Sequence, residues 1–242
     1  MGTLTATQLL DVWERGLARP LPERVLELLA AAFPEVSVEE LAELPIGRRD
    51  ARLLRLRERL FGPDFTAVAQ CPACGEQIES AFRVEDVRLA DERVSEAPHS
   101  ADIDGYRATF RLPTTHDLLA LTDASTAHGT LLTRCLTEVR DGNGGAVMEE
   151  SLPDEVIAAI AARMAAVDPQ ADIELRLACP TCDHRWPAVF DIASFLWKEL
   201  HAWALRTLRD VHSLARSYGW READVLALSP TRRQVYLELS RQ

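Results

Sequence analysis

The sequence lacks the short motifs that mark the common hydrolases and nucleotide-binding enzymes. It contains no His-Glu-x-x-His, no Gly-x-Ser-x-Gly and no glycine-rich phosphate loop. No histidine is followed two residues later by a glutamate, which a zinc-dependent nucleobase deaminase requires as its general acid and base. We therefore predict that the chain is not an enzyme and has no small-molecule substrate.

Long apolar runs are also missing. The most apolar stretches, at 25–33 and 156–164, are short and interrupted by charge, and the N-terminus shows no basic region followed by a hydrophobic run. With 47% hydrophobic residues among 242, the chain can still bury a core. We expect a cytoplasmic protein without a membrane segment.

Cysteine is scarce, and four of the five cysteines form two Cys-x-x-Cys pairs: Cys71, Cys74, Cys179 and Cys182. In an intracellular protein such pairs indicate a metal site rather than a disulfide framework. A redox dithiol and ordinary reduced cysteines are the alternatives, but neither pair opens a helix as a thioredoxin-type dithiol does. The fifth, Cys135, lies in a helical pattern and is predicted to be a buried structural thiol.

Both cysteine pairs lie in one repeated pattern. Side chains alternate like a strand before and after each pair, and the run at 65–84 has its counterpart at 173–192, which is 108 residues later. Superimposing the two copies aligns the cysteines, and it also aligns Phe82 with Phe190. The sequence therefore predicts an internal repeat of one β-hairpin with a cysteine pair at its turn.

Two such turns present four thiolates to one ion in a tetrahedral site. The 104 residues between Cys74 and Cys179 exceed the usual gap of about 15 to 20 residues, but two packed copies of one hairpin form a zinc ribbon. We predict one structural Zn²⁺ on Cys71, Cys74, Cys179 and Cys182. His184 is either a ligand, a hydrogen-bond donor to a thiolate, or an exposed turn residue.

Helical spacing and capping signals dominate both ends of the chain. We predict an α+β fold with a helical N-terminal unit at 1–64, a composite zinc ribbon at 65–197 and a helical C-terminal arm at 198–242. An α/β segment, at about 87–171, is inserted between the two hairpins. Within it we expect a helix that carries Leu131 through Leu136.

The net charge of −11 is unevenly distributed. Residues 71–197 carry 10 arginines against 22 carboxylates, a net −12, whereas residues 198–242 carry a net +3. The acidic middle would repel a nucleic acid backbone, so no nucleic acid partner is expected. The alternative function is a zinc-ribbon protein that binds nucleic acid or is linked to transcription, which would require a basic ribbon surface.

Three segments carry a family resemblance. They are Arg-Leu-Pro-Thr at 111–114, Phe-Asp-Ile-Ala-Ser-Phe-Leu-Trp at 190–197, and the tail from Tyr-Gly-Trp-Arg-Glu-Ala-Asp to Tyr-Leu-Glu-Leu at 218–239. Together they resemble the baseplate proteins of T-even-like contractile phage tails, in the form found in contractile injection clusters of bacteria. The resemblance implies a non-catalytic role in assembling the baseplate or its hub, by binding other tail proteins. It also implies incorporation in a phage tail or tail-like particle as an alternative location.

The tail itself is compatible with a binding role, because two short helices there carry much apolar surface flanked by arginines. The competing interpretation is an ordinary helical hairpin that packs on the long helix before it. The candidate partner-binding residues are Trp220, Leu226, Leu228, Arg232, Arg233 and Tyr236.

Overall fold

The computed structural model describes residue 2 and residues 4–89, 98–121 and 127–240. Parts of the predicted insertion, at 90–97 and 122–126, therefore lie outside the described residues. The chain divides into two compact units, one made of residues 1–38 with 193–242 and one made of residues 39–192. The boundaries predicted from the sequence, at 64/65 and 197/198, stay a prediction.

The described chain contains helices and short antiparallel strands, with successive helices at both ends and the strands between them. The helices are α1 (Ala6–Gly16), α2 (Leu21–Ala32), α3 (Val38–Ala42), α4 (Ile46–Phe61), α5 (Val84–Val87), α6 (Thr115–Leu119), α7 (Ala127–Cys135), α8 (Asp154–Val167), α9 (Ile192–Tyr218), α10 (Glu222–Leu226) and α11 (Pro230–Leu239). The strands are β1 (Asp64–Gln70), β2 (Gln77–Arg83), β3 (His99–Ile103), β4 (Tyr106–Phe110), β5 (Leu136–Arg140), β6 (Glu174–Ala178) and β7 (Arg185–Val189). The predicted mixture of helices and small sheets is confirmed.

Local sequence signals explain where the helices of the first unit begin and end. The Thr5 hydroxyl accepts from the Gln8 amide at 3.2 Å, and the Gln8 side chain accepts from the Thr5 amide at 2.9 Å, which forms a capping box for α1. Ser229 caps α11, with Pro230 at its first position. Gly219 ends the 27-residue α9 with φ of 69°, a backbone conformation that glycine adopts without strain.

The first unit has its own apolar core where α9, α10 and α11 meet α1. Its buried members are Leu10, Ala204, Val211, Leu214, Val225, Leu226 and Leu237. Trp13, Trp203, Trp220 and Tyr236 pack around them, half-buried. The last two helices therefore complete this core, as the helical-hairpin interpretation expects.

Outside positions 90–97 and 122–126, the second unit contains three separate antiparallel sheets, ordered β1-β2, β3-β4-β5 and β6-β7. The three-stranded sheet belongs to the inserted segment and shares a core with α7 and α8. That core is formed by Ala108, Phe110, Leu112, Leu132, Cys135, Val139, Leu152, Val156, Ile160 and Met164. The predicted burial of Cys135 is confirmed, since its exposure is 0%.

One element of the insertion differs from the prediction. The helix expected to include Leu136 ends at Cys135, and Leu136 begins β5, which pairs with β4. The spacing of the apolar residues at 131–136 favours a helix. Leu136 instead joins the sheet, because it pairs there with Phe110.

The two ends of the insertion are tied to each other by Gln170. Its side-chain oxygen accepts from the Leu89 amide at 2.7 Å, and its side-chain nitrogen donates to the Val87 carbonyl at 3.1 Å. Because Gln170 is buried, these bonds replace those that water would otherwise make. The first and last residues of the inserted segment therefore lie close together.

Candidate metal centre and partner surface

The first cysteine pair lies in the turn between β1 and β2. The last strand pair is Gln70 with Gln77, and the turn is closed by the Cys71 amide, which donates to the Glu76 carbonyl at 2.8 Å. The Gly75 amide donates to the Cys71 carbonyl at 2.9 Å, and Gly75 has φ of 75°. This tight return places the side chains of Cys71 and Cys74 on one side of the turn.

The second cysteine pair repeats that turn in detail. The Cys179 amide donates to the His184 carbonyl at 2.9 Å, and the Asp183 amide donates to the Cys179 carbonyl at 3.0 Å. Asp183 has φ of 55° and occupies the place of Gly75 in the repeat. Aspartate is among the few residues that tolerate this left-handed conformation, so the same turn forms without a glycine.

The four cysteine sulfurs converge although their pairs are far apart in the chain. All four Sγ atoms lie within 4.8 Å of one another, with 3.7 Å between Cys71 and Cys182 and 3.6 Å between Cys74 and Cys179. A tetrahedral zinc with bonds of about 2.3 Å separates its sulfurs by about 3.8 Å, so the donor set fits one ion. A disulfide would need about 2.05 Å, so the four cysteines are free thiols.

The backbone of the second turn favours a thiolate at Cys179. Burial raises the pKa of Cys179, but hydrogen bonds from the backbone of Thr181 and Cys182 and from the Cys74 side chain lower it to about 7. Sulfurs this close cannot all ionise without a cation between them, because like charges repel. The arrangement can therefore hold a metal ion that neutralises the thiolates.

The two hairpins also contact each other through side chains beside the cysteines. Ile78 and Leu177 are buried between them, with Leu175 and Trp186 packed against that cluster. His184 stacks on Trp186 with ring centroids 5.8 Å apart. Among the described residues it does not join the four-cysteine group, and it remains exposed.

The far end of the hairpins is closed by three phenylalanines. Phe65 and Phe82 are paired across β1 and β2 and stack at 4.9 Å, and Phe190 meets both edge-on, at 5.3 and 5.2 Å. The Arg57 guanidinium on α4 lies over Phe65, 3.9 Å from the ring centroid. The repeat that aligns Phe82 with Phe190 thus joins the hairpins at both ends.

The segment at 111–114 has a structural role. The Arg111 guanidinium donates to both oxygens of the buried Asp117 carboxylate, at 2.6 and 2.7 Å, and Arg134 donates to it at 3.1 Å. Burial raises the pKa of Asp117, but bonds from Arg111 and Thr114 lower it to about 2. The Pro113 carbonyl accepts from the Ile46 amide at 3.0 Å, which ties this segment to the start of α4.

The residues predicted to bind a partner occupy different environments. Leu226 and Arg233 are buried, Trp220, Leu228 and Tyr236 are half-buried, and Arg232 is exposed. Trp220 stacks on Tyr218 at 4.8 Å and meets Tyr236 edge-on at 4.8 Å. Most of the predicted residues therefore stabilise the fold of the C-terminal arm. Arg232 is the predicted residue most accessible to another protein.

The residues predicted from the sequence to bind a partner do not include a group of arginines on α9. Arg206, Arg209 and Arg216 are exposed along the groove that α9 forms with α11. Their spacing of three and seven residues places them near one face of a helix, which is the signal that could have identified them.

A family model described as T4 bacteriophage base plate protein matches residues 7–197. The matched range contains the four cysteines and two of the three segments that carry the resemblance, and it ends before the C-terminal arm. No curated protein and no solved structure matches this chain significantly. In the part of the chain that the structure describes, every helix is too short or too polar to cross a membrane.

Proposed function

Because this chain belongs to the T4 bacteriophage base plate protein family, we propose that it is a non-catalytic component or assembly factor of a contractile tail or injection-system baseplate. It acts by binding other tail proteins. The single observation that carries the proposal is the family match over 7–197, which agrees with the resemblance seen in the sequence. Its place of action is the assembling tail, or the cytoplasm where the tail is built.

The four-cysteine centre holds one structural zinc in this proposal. Its sulfurs have the spacing of a tetrahedral ligand set, and four thiolates leave no position open for substrate. The zinc joins two hairpins whose cysteine pairs are separated by 104 residues. Its contribution is a rigid joint on which the inserted segment is held.

The C-terminal arm provides the partner surface in this proposal, through Trp220, Leu226, Leu228, Arg232, Arg233 and Tyr236. It lies outside the range that the family model matches, and its net charge of +3 contrasts with the acidic middle. Arg232 is the best single probe because it is exposed on α11. The alternative of a nucleic-acid-binding ribbon has no support, since residues 71–197 carry a net −12.

The test is co-expression of the tagged chain with each protein encoded beside it in a tail gene cluster. We expect one or more tail proteins to co-purify with the wild-type chain. Arg232→Glu should weaken that capture, whereas Arg163→Glu, an exposed change on α8, should not. Failure of the wild-type chain to retain any tail protein, with its metal centre intact, would overturn the proposed function.

A further inference from the structure

A large groove runs along the first unit between α9 and α11, with α1 and α10 at its sides. Its volume is about 1060 Å³. Leu9, Leu226 and Leu237 are buried at its base, so the groove offers an apolar surface below its polar walls. A surface of this composition is typical of a protein-binding site.

The walls of the groove are positively charged. Arg206, Arg209, Arg216 and Arg233 line it, and Asp210 is the one carboxylate among the described lining residues. In the described part of the chain, Arg206, Arg209 and Arg216 form no ion pair. Unpaired arginines beside an apolar base favour an acidic occupant, because the potentials of two binding surfaces are complementary.

Arg233 is the buried member of this group. The residue is only 8% exposed, its Nη1 is 3.9 Å from Asp210 Oδ2, and its Nε is buried without a hydrogen-bond partner. A buried guanidinium nitrogen normally has an acceptor. Because Arg233 also lines the groove, its guanidinium adds to the positive charge that an acidic occupant would meet there.

We propose that this groove binds an acidic segment of a partner tail protein, with its carboxylates on the arginines and its apolar side chains on the leucines. The inference rests on the proposed function and names the chemistry of the partner. Arg206 and Arg216 are separated by about 15 Å along α9, which corresponds to roughly three turns of a helix or five extended residues. The apolar base and Asp210 favour a peptide over a nucleic acid.

The binding test uses a defined probe, a fluorescein-labelled amphipathic peptide of about 15 residues, with glutamates on one face and leucines on the other. A second peptide has glutamine in place of every glutamate. Fluorescence anisotropy should show binding of the glutamate peptide that weakens at high salt, and little binding of the glutamine peptide.

The variant Arg206→Glu/Arg216→Glu should weaken binding of the glutamate peptide by about tenfold or more. The matched control, Arg163→Glu/Arg176→Glu, makes the same change of charge at exposed positions of the other unit and should leave the affinity unchanged. Circular dichroism and metal content establish that both variants are folded.

Equal affinity for the two peptides, or equal affinity of the two double variants, would overturn the inference. So would displacement of the peptide by oligothymidine at lower concentration than by unlabelled peptide, which would assign the groove to nucleic acid. Self-association that Arg206→Glu/Arg216→Glu abolishes would assign it to a second copy of the chain.

The two proposals fail separately. If the wild-type chain captures a tail protein and Arg206→Glu/Arg216→Glu captures it equally well, the groove is not the site but the proposed function stands. If the wild-type chain captures no tail protein, the proposed function fails whatever the peptide binding shows.

Discussion

At the scale of single residues, Gly47 lies in close contact with Asp168 in the second unit. The Gly47 amide, at the start of α4, donates to Asp168 Oδ2 at 2.8 Å, and the other oxygen of that carboxylate is buried without a partner. The carboxylate approaches so closely that a Cβ at position 47 would overlap it. A residue without a side chain is therefore required there.

Gly47→Ala should lower the free energy of unfolding by about 1–3 kcal/mol, because the added methyl displaces the Asp168 carboxylate or shifts α4. Gly129→Ala is the control, since Gly129 lies in α7 and a Cβ added there would meet no atom within 4 Å. Urea unfolding followed by circular dichroism measures both. Equal stability of the two variants would contradict the close contact.

Asp50 gives a prediction about pH. Burial raises the pKa of Asp50 to about 6, against the lowering effect of Arg49, whose side chain bonds to it at 2.8 Å. A carboxyl with a raised native pKa binds its proton more tightly when folded, so its stabilising contribution is present below pH 4 and is lost as pH rises to about 6.

The free energy of unfolding of the wild-type chain, relative to Asp50→Asn, should therefore fall as pH rises from about 4 to about 6, and then become constant. Asparagine cannot titrate, so the variant removes this dependence. Unfolding of both proteins across that pH range measures the difference. A constant difference would mean that Asp50 has an ordinary pKa.

At the scale of the elements, the two hairpins were predictable because each contains its own turn signal and alternating pattern. The copies also match one another, and two of the three phenylalanines in contact, Phe82 and Phe190, occupy equivalent positions of that repeat. The exact end of α7 was not predictable, because Leu136 suits a helix locally and is drawn into β5 by pairing with β4. Only the partner strand decides between these two structures.

Replacing one cysteine at a time distinguishes the thiols that bind the metal from the thiol that does not. We expect about one zinc per wild-type chain, with four thiols that react after chelation and a fifth, the buried Cys135, that reacts only after unfolding. Cys74→Ser should lose the zinc, whereas Cys135→Ala should keep it, because Cys135 lies in the core of the insertion. Elemental analysis with thiol titration measures both. Retention of zinc by Cys74→Ser at the wild-type level would refute the four-thiolate site.

At the scale of the whole molecule, the second unit contains the four cysteines of the metal centre and also α4. Both ends of this helix contact other parts of the unit. Gly47 bonds to Asp168 near the start of this helix, and Arg57 covers Phe65 near its end. The unit begins at residue 39, whereas the predicted ribbon begins at residue 65. These two boundaries lead to different fragments.

A fragment of residues 39–192 should fold and bind zinc by itself, since it keeps both contacts of α4. The fragment 65–197 tests the predicted boundary and should be less stable, because it exposes the apolar face that α4 covers. Thermal unfolding with zinc analysis compares them. Greater stability of 65–197 would support the predicted boundary instead.

The sequence by itself determined the two hairpins, the set of four cysteines, the caps of the helices and the family, because each depends on residues close together in the chain or on a recognisable pattern. The tertiary structure alone decided how far apart the four sulfurs lie, that Gln170 ties the ends of the insertion, and that α9 and α11 form a groove lined with arginines. These features join residues tens to hundreds of positions apart, and no local pattern specifies a distance through space.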